Sequence, residues 1–280
     1  MSQLIYLRQR LKAIETIKKI THAMRLISMS SHTRMRAQDT ALKAYISAAD
    51  TLLAKISAHS SSIDHPLLHT ASEQNPKELV ILVGSQKGLC GSFNTALLNF
   101  FFAQYQGKMN DIEIITIGKK LIDVAKEKKI KSIAEYSELH LATLSTISHD
   151  LVTYITSSMH KYSQVTIVSN LMKSFFVQKP HQTQIVPFSA NSTNLGSSTE
   201  DYHWEQSPKE IMSVLITQIM QSNIHYALFQ SLYAEQAARF LSMDNSTRNA
   251  QTLLDQTKLQ YNKLRQAKIT KELTELTGNF

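Results

Sequence analysis

The residues with the clearest chemical capacity lie in one glycine-rich turn, running from Gly84 to Asn94 as GSQKGLCGSFN. It follows the apolar run from Glu78 to Gly84, and glycines placed after a strand can free backbone N–H groups for a phosphate. The spacing is neither GxGxxG nor GxxxxGK[ST], because Gly91 is followed by Ser92 and Phe93, so no nucleotide site is expected there. Cys90 has the chemistry of a nucleophile, but no histidine or acid stands at an informative spacing from it. A small buried structural thiol is the expectation. The 11 histidines are scattered and there is 1 cysteine, so no metal site and no cofactor are expected. Trp204 and the tyrosines read as packing or surface residues rather than a stacking platform.

Charge is the second chemical feature. The net +8 is uneven: residues 1–58 hold ten Lys/Arg against three Asp/Glu, residues 208–280 hold eight against six, and the stretch between them is close to neutral. Arg8, Arg10, Lys12, Lys18, Lys19, Arg25, Arg34 and Arg36 cluster near the N-terminus. The interleaved aromatics that single-stranded nucleic acid requires are missing there, so an acidic protein partner is expected and nucleic acid is not. One cysteine excludes an internal disulfide framework. No apolar run approaches the roughly 18 to 20 residues of a spanning helix. Direct membrane insertion is therefore not expected, and any membrane association would run through partners or the surface.

The elements that position these residues are marked by Gly and Pro. Neither occurs from Met1 to His65, and after Pro208 the next is Gly278. These limits define two helical arms, 1–58 and 207–277, with Ser207 as N-cap, Pro208 in the first turn and Glu210 against the positive end of the dipole. The first arm resembles an organellar transit peptide over its first fourteen residues, but its periodicity runs on past Glu15. In that arm Leu4, Leu7, Leu11 and Ile14 form a seam that Ile17, Met24 and Ile27 continue, and Leu42, Tyr45, Ala49, Leu52 and Ile56 form a second. In the last arm the stripe Ile224, Ala227, Ser231, Ala234, Ala238, Leu241 has coiled-coil spacing, and its small residues would let a partner helix approach closely.

Between the arms, after a polar linker over 57–77, strands are expected at 78–84, 112–117, 130–136 and 164–170. A hairpin is expected from 175–178 and 184–188, with Lys179, Pro180 and His181 as its turn, and 189–204 reads as a loop. Helices are expected at 95–106, over the Lys-rich stretch ending near Lys129, and at 141–162. The fold class is α/β: a long antiparallel two-helix coiled coil formed by the N- and C-terminal arms, with a small doubly wound α/β domain (77–190) inserted. The arms run antiparallel because a compact insert brings its two ends close together. From Gln256 onward the longer arm is polar on most faces and is expected to project beyond the pair.

Three motifs carry a resemblance. Lys19-Ile20-Thr21-His22-Ala23-Met24, the turn Gly88-Leu89-Cys90-Gly91-Ser92-Phe93-Asn94, and the C-terminal series Ser231–Arg239, Met243-Asp244-Asn245, Tyr261-Asn262-Lys263, Arg265-Gln266-Ala267 and Ile269–Glu275 resemble, in order, segments of the gamma subunit of rotary F-type ATP synthases. The sequence departs from that pattern at Gln86, where an acid is usual, and at His22, where Lys is common. Around Ser28–Arg36 it carries roughly two extra residues, which would turn a helix by about 200°.

The resemblance implies a central-stalk rotor subunit that transmits torque between a proton-driven membrane rotor and a catalytic ring of alpha and beta subunits. Its partners would be those subunits, the epsilon subunit and the c subunits of the membrane ring. It implies no active site in this chain, and a peripheral location on the cytoplasmic face of a bacterial inner membrane or the matrix side of an organelle. By motif position Met24 would lie near the lever contact, while Arg239, Gln266, Thr270 and Glu272 would bond the ring. A coiled-coil scaffold without a role in ATP synthesis is the rival reading, and a nucleotide-using α/β enzyme a distant third.

Overall fold

The computed structural model describes residues 2–59, 77–187 and 208–277. The expected linker, the 189–204 loop, Trp204, the Ser207 cap and the tip after Thr277 lie outside these residues. The elements are α1 (Ser2–His59), β1 (Glu78–Val83), α2 (Phe93–Tyr105), β2 (Ile112–Ile117), α3 (Lys119–Glu127), β3 (Ala134–Tyr136), α4 (Leu144–Ser158), β4 (Gln164–Ser174), β5 (Val177–Val186) and α5 (Pro208–Thr277). The backbone divides into two compact units, one of residues 1–31 with 239–280 and one of 32–238.

The larger unit is built on a five-stranded sheet of order β3-β2-β1-β4-β5, parallel except where β5 runs antiparallel to β4. β1 sits at its centre. Leu79 to Val83 are fully buried, the near-continuous apolar run of a strand covered on both faces. One face packs Val80, Leu82, Ile112 and Ile114 against α2 and α3 through Leu97, Leu98, Phe101 and Leu121. The other packs Leu79, Ile81, Ile115 and Ile117 against α4, together with Met35 and Leu53 of α1 and Met212, Ile216, Ile224 and Phe229 of α5. Helices on both faces of a mostly parallel sheet make this the doubly wound insert.

The hairpin differs from the sequence expectation. β4 continues to Ser174, the chain turns at Phe175 and Phe176, and Lys179, Pro180 and His181 lie inside β5, opposite Leu171, Asn170 and Ser169. Pro180 is tolerated because β5 is the sheet edge, where a missing N–H breaks no ladder.

Along α1 most of the buried and half-buried side chains share one heptad register, 7, 11, 14, 18, 21, 25, 28, 32, 35, 39, 42, 46, 49 and 53, with half-buried Met24, Ser31, Asp50 and Lys55 beside it. No break occurs across 28–36. The lower seam is therefore Leu42, Ile46, Ala49 and Leu53, and Tyr45 and Leu52 of the expected set are exposed. On α5 the stripe from Ile224 to Ala238 is buried as expected, but its small residues admit a different neighbour. The Ser231 hydroxyl donates to the Val83 carbonyl at 3.3 Å, and Ala234 and Ala238 pack on Cys90 and Phe93. The close approach serves the end of β1 and its turn. Within this unit polar and aromatic contacts add to the shared apolar core between α1 and α5: Gln230 donates to Asp39, Gln218 to the Tyr45 hydroxyl at 2.9 Å, and the His32 ring stacks on Tyr233 at 4.4 Å.

His32 is buried between Tyr233 and Phe175 of the hairpin turn, and its Nε2 has no hydrogen-bond partner among the described residues. Burial, and secondarily the charge of Arg36, push its pKa below the ordinary histidine value. A depressed folded-state value means that the neutral ring contributes its full stability above the unfolded pKa of about 6.5, and that this is lost as pH falls through the folded value. Thermal unfolding of the full chain should show a Tm that declines below pH 6.5, and His32→Phe should flatten part of that decline, leaving the part due to His225, which burial shifts in the same direction. Ala234→Leu, which overpacks the contact with Cys90 and Phe93, should destabilise by ~1 to 3 kcal/mol, read as a Tm lowered by several degrees.

Candidate functional site: a filled turn and an unpartnered helical stripe

The turn after β1 lies at the point where strand order reverses between β1 and β4, the place where doubly wound folds bind ligands. The approach is tight. A Cβ on Gly84 would stand 2.5 Å from that of Leu121, and Gly118, at φ +105, lies against the Gly84 carbonyl. Three successive backbone donors of the turn, Ser85, Gln86 and Lys87, are engaged from within the chain. Glu235 of α5, 1% exposed, accepts from the backbone N–H of Gln86 at 2.9 Å and of Lys87 at 3.2 Å. Asn94 accepts from the Ser85 N–H at 2.9 Å and donates to the Ser85 hydroxyl at 2.7 Å. A carboxylate thus holds the seat that a phosphate oxygen would take.

Gln86 extends the connection. Its side-chain carbonyl accepts from the N–H of Lys119 at 3.3 Å and of Leu139 at 3.1 Å, so the loops after β1, β2 and β3 meet on one side chain. Both bonds use an acceptor, which an acid at this position would also supply. Cys90 is buried with its thiol 3.8 Å from the Lys87 carbonyl, among Phe93, Ala234 and Ala238. That is the environment of a packing residue.

In the smaller unit α1 and α5 run antiparallel, and their contact changes character along its length. Leu11 and Ile14 pack on Ala250 and Leu254. Beyond them the seam turns polar: Lys18 donates to Gln251, the Thr247 hydroxyl donates to that of Thr21 at 2.9 Å, and Arg25 bonds Asp244 at 2.6 Å. Asp244 also meets Arg248 at 2.9 Å, and its carboxyl is held below the usual carboxylate range, chiefly by the bond from Arg25.

Ile17 and Ile27, expected to continue the seam, are 53% and 65% exposed. Heptad spacing selects 18, 21, 25 and 28 instead, and the isoleucines fall outside it. With Ile20 and half-buried Met24 they form a stripe spaced by three, four and three residues, one helix face whose three isoleucines the described residues leave exposed.

The remaining site residues are distributed unevenly. Arg239 is 3% exposed, so its guanidinium is withdrawn from solvent. Gln266, Thr270 and Glu272 lie on the exposed end of α5, where Lys258 to Thr277 bury no described side chain. Thr270 donates to the Gln266 carbonyl at 3.0 Å, and Glu272 pairs with Lys268 at 3.3 Å. None of the five lines a pocket described among these residues. Glu235, absent from the sequence-derived set, accepts from two backbone donors of the turn, and its only sequence signal was its place inside the Ser231–Arg239 motif.

These elements define a class: antiparallel long helices bearing unpartnered apolar stripes, interrupted by a doubly wound domain whose ligand crevice is closed by its own chain. The sequence profile of the ATP synthase family matches residues 3–280. The chain is 30% identical over 279 residues to the ATP synthase gamma chain of Clostridium perfringens, covering 98% of this chain and 96% of that one. It is 32% identical over 284 residues to that of Rickettsia canadensis, covering 99% and 98%. Among solved structures, a chain of the Euglena gracilis mitochondrial ATP synthase OSCP/F1/c-ring assembly is similar with a TM-score of 0.71 at 15% identity, over 99% of this chain and 93% of that chain. The chain belongs to the ATP synthase gamma chain family.

Glu235→Ala would leave two backbone donors without their acceptor, at ~1 to 3 kcal/mol each. Hydrogen exchange at the Gln86 and Lys87 amides should accelerate well beyond that of the β1 amides, with Glu235→Gln intermediate.

Proposed function

We propose that this chain is the central-stalk rotor subunit of an F-type ATP synthase, transmitting torque between the proton-driven membrane rotor and the catalytic ring without itself performing catalysis. The observation that carries this reading is the end-to-end likeness to gamma chains, 98% of the chain at 30% identity. The structure supports it in two respects. The phosphate seat at the switch point is taken by Glu235, and the apolar stripe Ile17, Ile20, Met24, Ile27 stands in the most basic stretch of the chain, suited to an acidic partner with apolar contacts.

In this reading the alpha and beta subunits meet the helical pair, with Met24 at the lever contact and Arg239, Gln266, Thr270 and Glu272 bonding the ring. The epsilon subunit and the c ring meet the inserted domain. No described helix is long and apolar enough to cross a membrane, so the chain would be held peripherally through these partners, on the cytoplasmic side of a bacterial membrane or its organellar equivalent. The scaffold reading has no observation in its favour.

The test is proton-driven ATP synthesis and uncoupled hydrolysis in membranes carrying single variants. Arg239→Ala should lower coupled synthesis more than Gln266→Ala, because a desolvated charged bond is worth ~1.5 to 3 kcal/mol and an exposed one much less. Since Arg239 is buried, its variant should also lower the Tm of the isolated chain, whereas changes at exposed Gln266, Thr270 and Glu272 should leave Tm unchanged. Wild-type coupling in an assembled complex carrying Arg239→Ala would remove that residue from the ring contact.

A further inference from the structure

The larger unit contains a cavity of about 330 Å³ with no assigned role. One wall is a face of the β4–β5 hairpin, carrying Ser169, Leu171, His181 and Thr183. A second is the face of α5 that carries Asn223, Tyr226, Ala227 and Gln230, and Asp50 of α1 closes the third side. The volume is at the lower end for small-ligand pockets and would hold on the order of ten waters.

Its polar lining is largely uncommitted. Gln230 is engaged with Asp39, and Tyr226 interacts with Lys43 and Gln230. By contrast, the side chains of Asp50, Ser169, His181, Thr183 and Asn223 make no hydrogen bond or ion pair with any described residue. His181 is exposed and the polar atoms of the other four remain open to water, so all five are available to a ligand entering this space. Asp50 is the one acidic residue in the lining, and its partial burial pushes its carboxyl above the ordinary aspartate value, as an uncompensated negative charge requires. The nearby Lys43 does not neutralise it, because Lys43 pairs with Asp39 at 2.8 Å.

We propose that this cavity binds a protonated primary amine, with the ammonium group on the Asp50 carboxylate, the Ser169 and Thr183 hydroxyls and the Asn223 amide completing its hydrogen bonds, and the alkyl stem against Leu171 and Ala227. An ammonium carries three donors and no acceptor, which matches one anionic and several neutral oxygens. The ligand is a free small amine or a lysine side chain of another subunit, and these two sources share the chemistry. The free-amine case needs only the isolated chain and so stands apart from the rotor reading.

The probe is 1,4-diaminobutane, titrated calorimetrically into the full-length chain, with 1,4-butanediol as the uncharged control. Saturable binding of the diamine but not the diol, weakened at least tenfold by Asp50→Asn and several-fold by Asn223→Ala in variants with unchanged Tm, is the result expected for a free amine. Should the diamine not bind, the assembled ATP synthase is treated with a carbodiimide. An amide between Asp50 and a lysine of another subunit, lost in Asp50→Asn, assigns the site to a partner side chain. Absence of both diamine binding and such an adduct overturns the proposal, as does either signal persisting unchanged in Asp50→Asn or a coupling of Asp50 only to this chain's own lysines.

Discussion

A carboxylate buried in the middle of a seventy-residue helix is the contact on which the larger unit depends. Glu235 takes the backbone N–H groups of Gln86 and Lys87 and so docks α5 onto the carboxyl ends of the parallel strands. Removing a carboxylate from water costs several kcal/mol unless donors replace the solvent, and two preorganised backbone N–H groups supply part of that replacement. The neighbouring positions follow from that docking. Ser231, Ala234 and Ala238 must be small because the turn lies against them, and Gly84 and Gly118 must lack side chains because the strand ends converge beneath it.

This arrangement relates the fold to its function. In a doubly wound sheet the switch-point crevice is the default seat of a ligand. Here the crevice has become an internal joint: the helix supplies the anion, the turn supplies the donors, and Gln86 passes the contact to the loops after β2 and β3. The turn that bears on α5 is thereby tied to both neighbouring loops. The apolar stripe Ile17, Ile20, Met24 and Ile27 on α1 lies apart from this joint.

Much of this was legible in the sequence. The absence of Gly and Pro before His65 and after Pro208 marked both long helices, and runs such as Glu78–Val83 marked the parallel strands, because local composition decides such features. The motifs from Lys19 to Met24 and from Ser231 to Glu275 placed the chain in its family. What composition could not show was pairing. Pro180 read as a turn residue until the sheet edge explained it. Ile17 and Ile27 read as seam residues because they are apolar, whereas Lys18, Thr21 and Arg25 occupy the seam by spacing and are satisfied by partners more than two hundred residues away. Glu235 and Gln86 likewise lie 149 apart in sequence. The Asp50 cavity draws its walls from four elements, and no local pattern announces such a space.

The polar stretch of the helical pair in the smaller unit has a mechanical consequence. Apolar knobs are nearly interchangeable, so a seam made only of leucine can creep by one heptad at little loss. Rungs in which Arg25 meets Asp244, Thr21 meets Thr247 and Lys18 meets Gln251 have no equivalent one step away: a step in one direction sets Asp244 against the Thr21 hydroxyl, and a step in the other sets Arg25 against that of Thr247. Each bond adds only about 1 kcal/mol net, yet a slip would break all three together. The two helices are therefore keyed against sliding more firmly than they are glued against separation, as in a splined joint, where alignment along the axis is fixed while the surfaces are pressed together by whatever surrounds them.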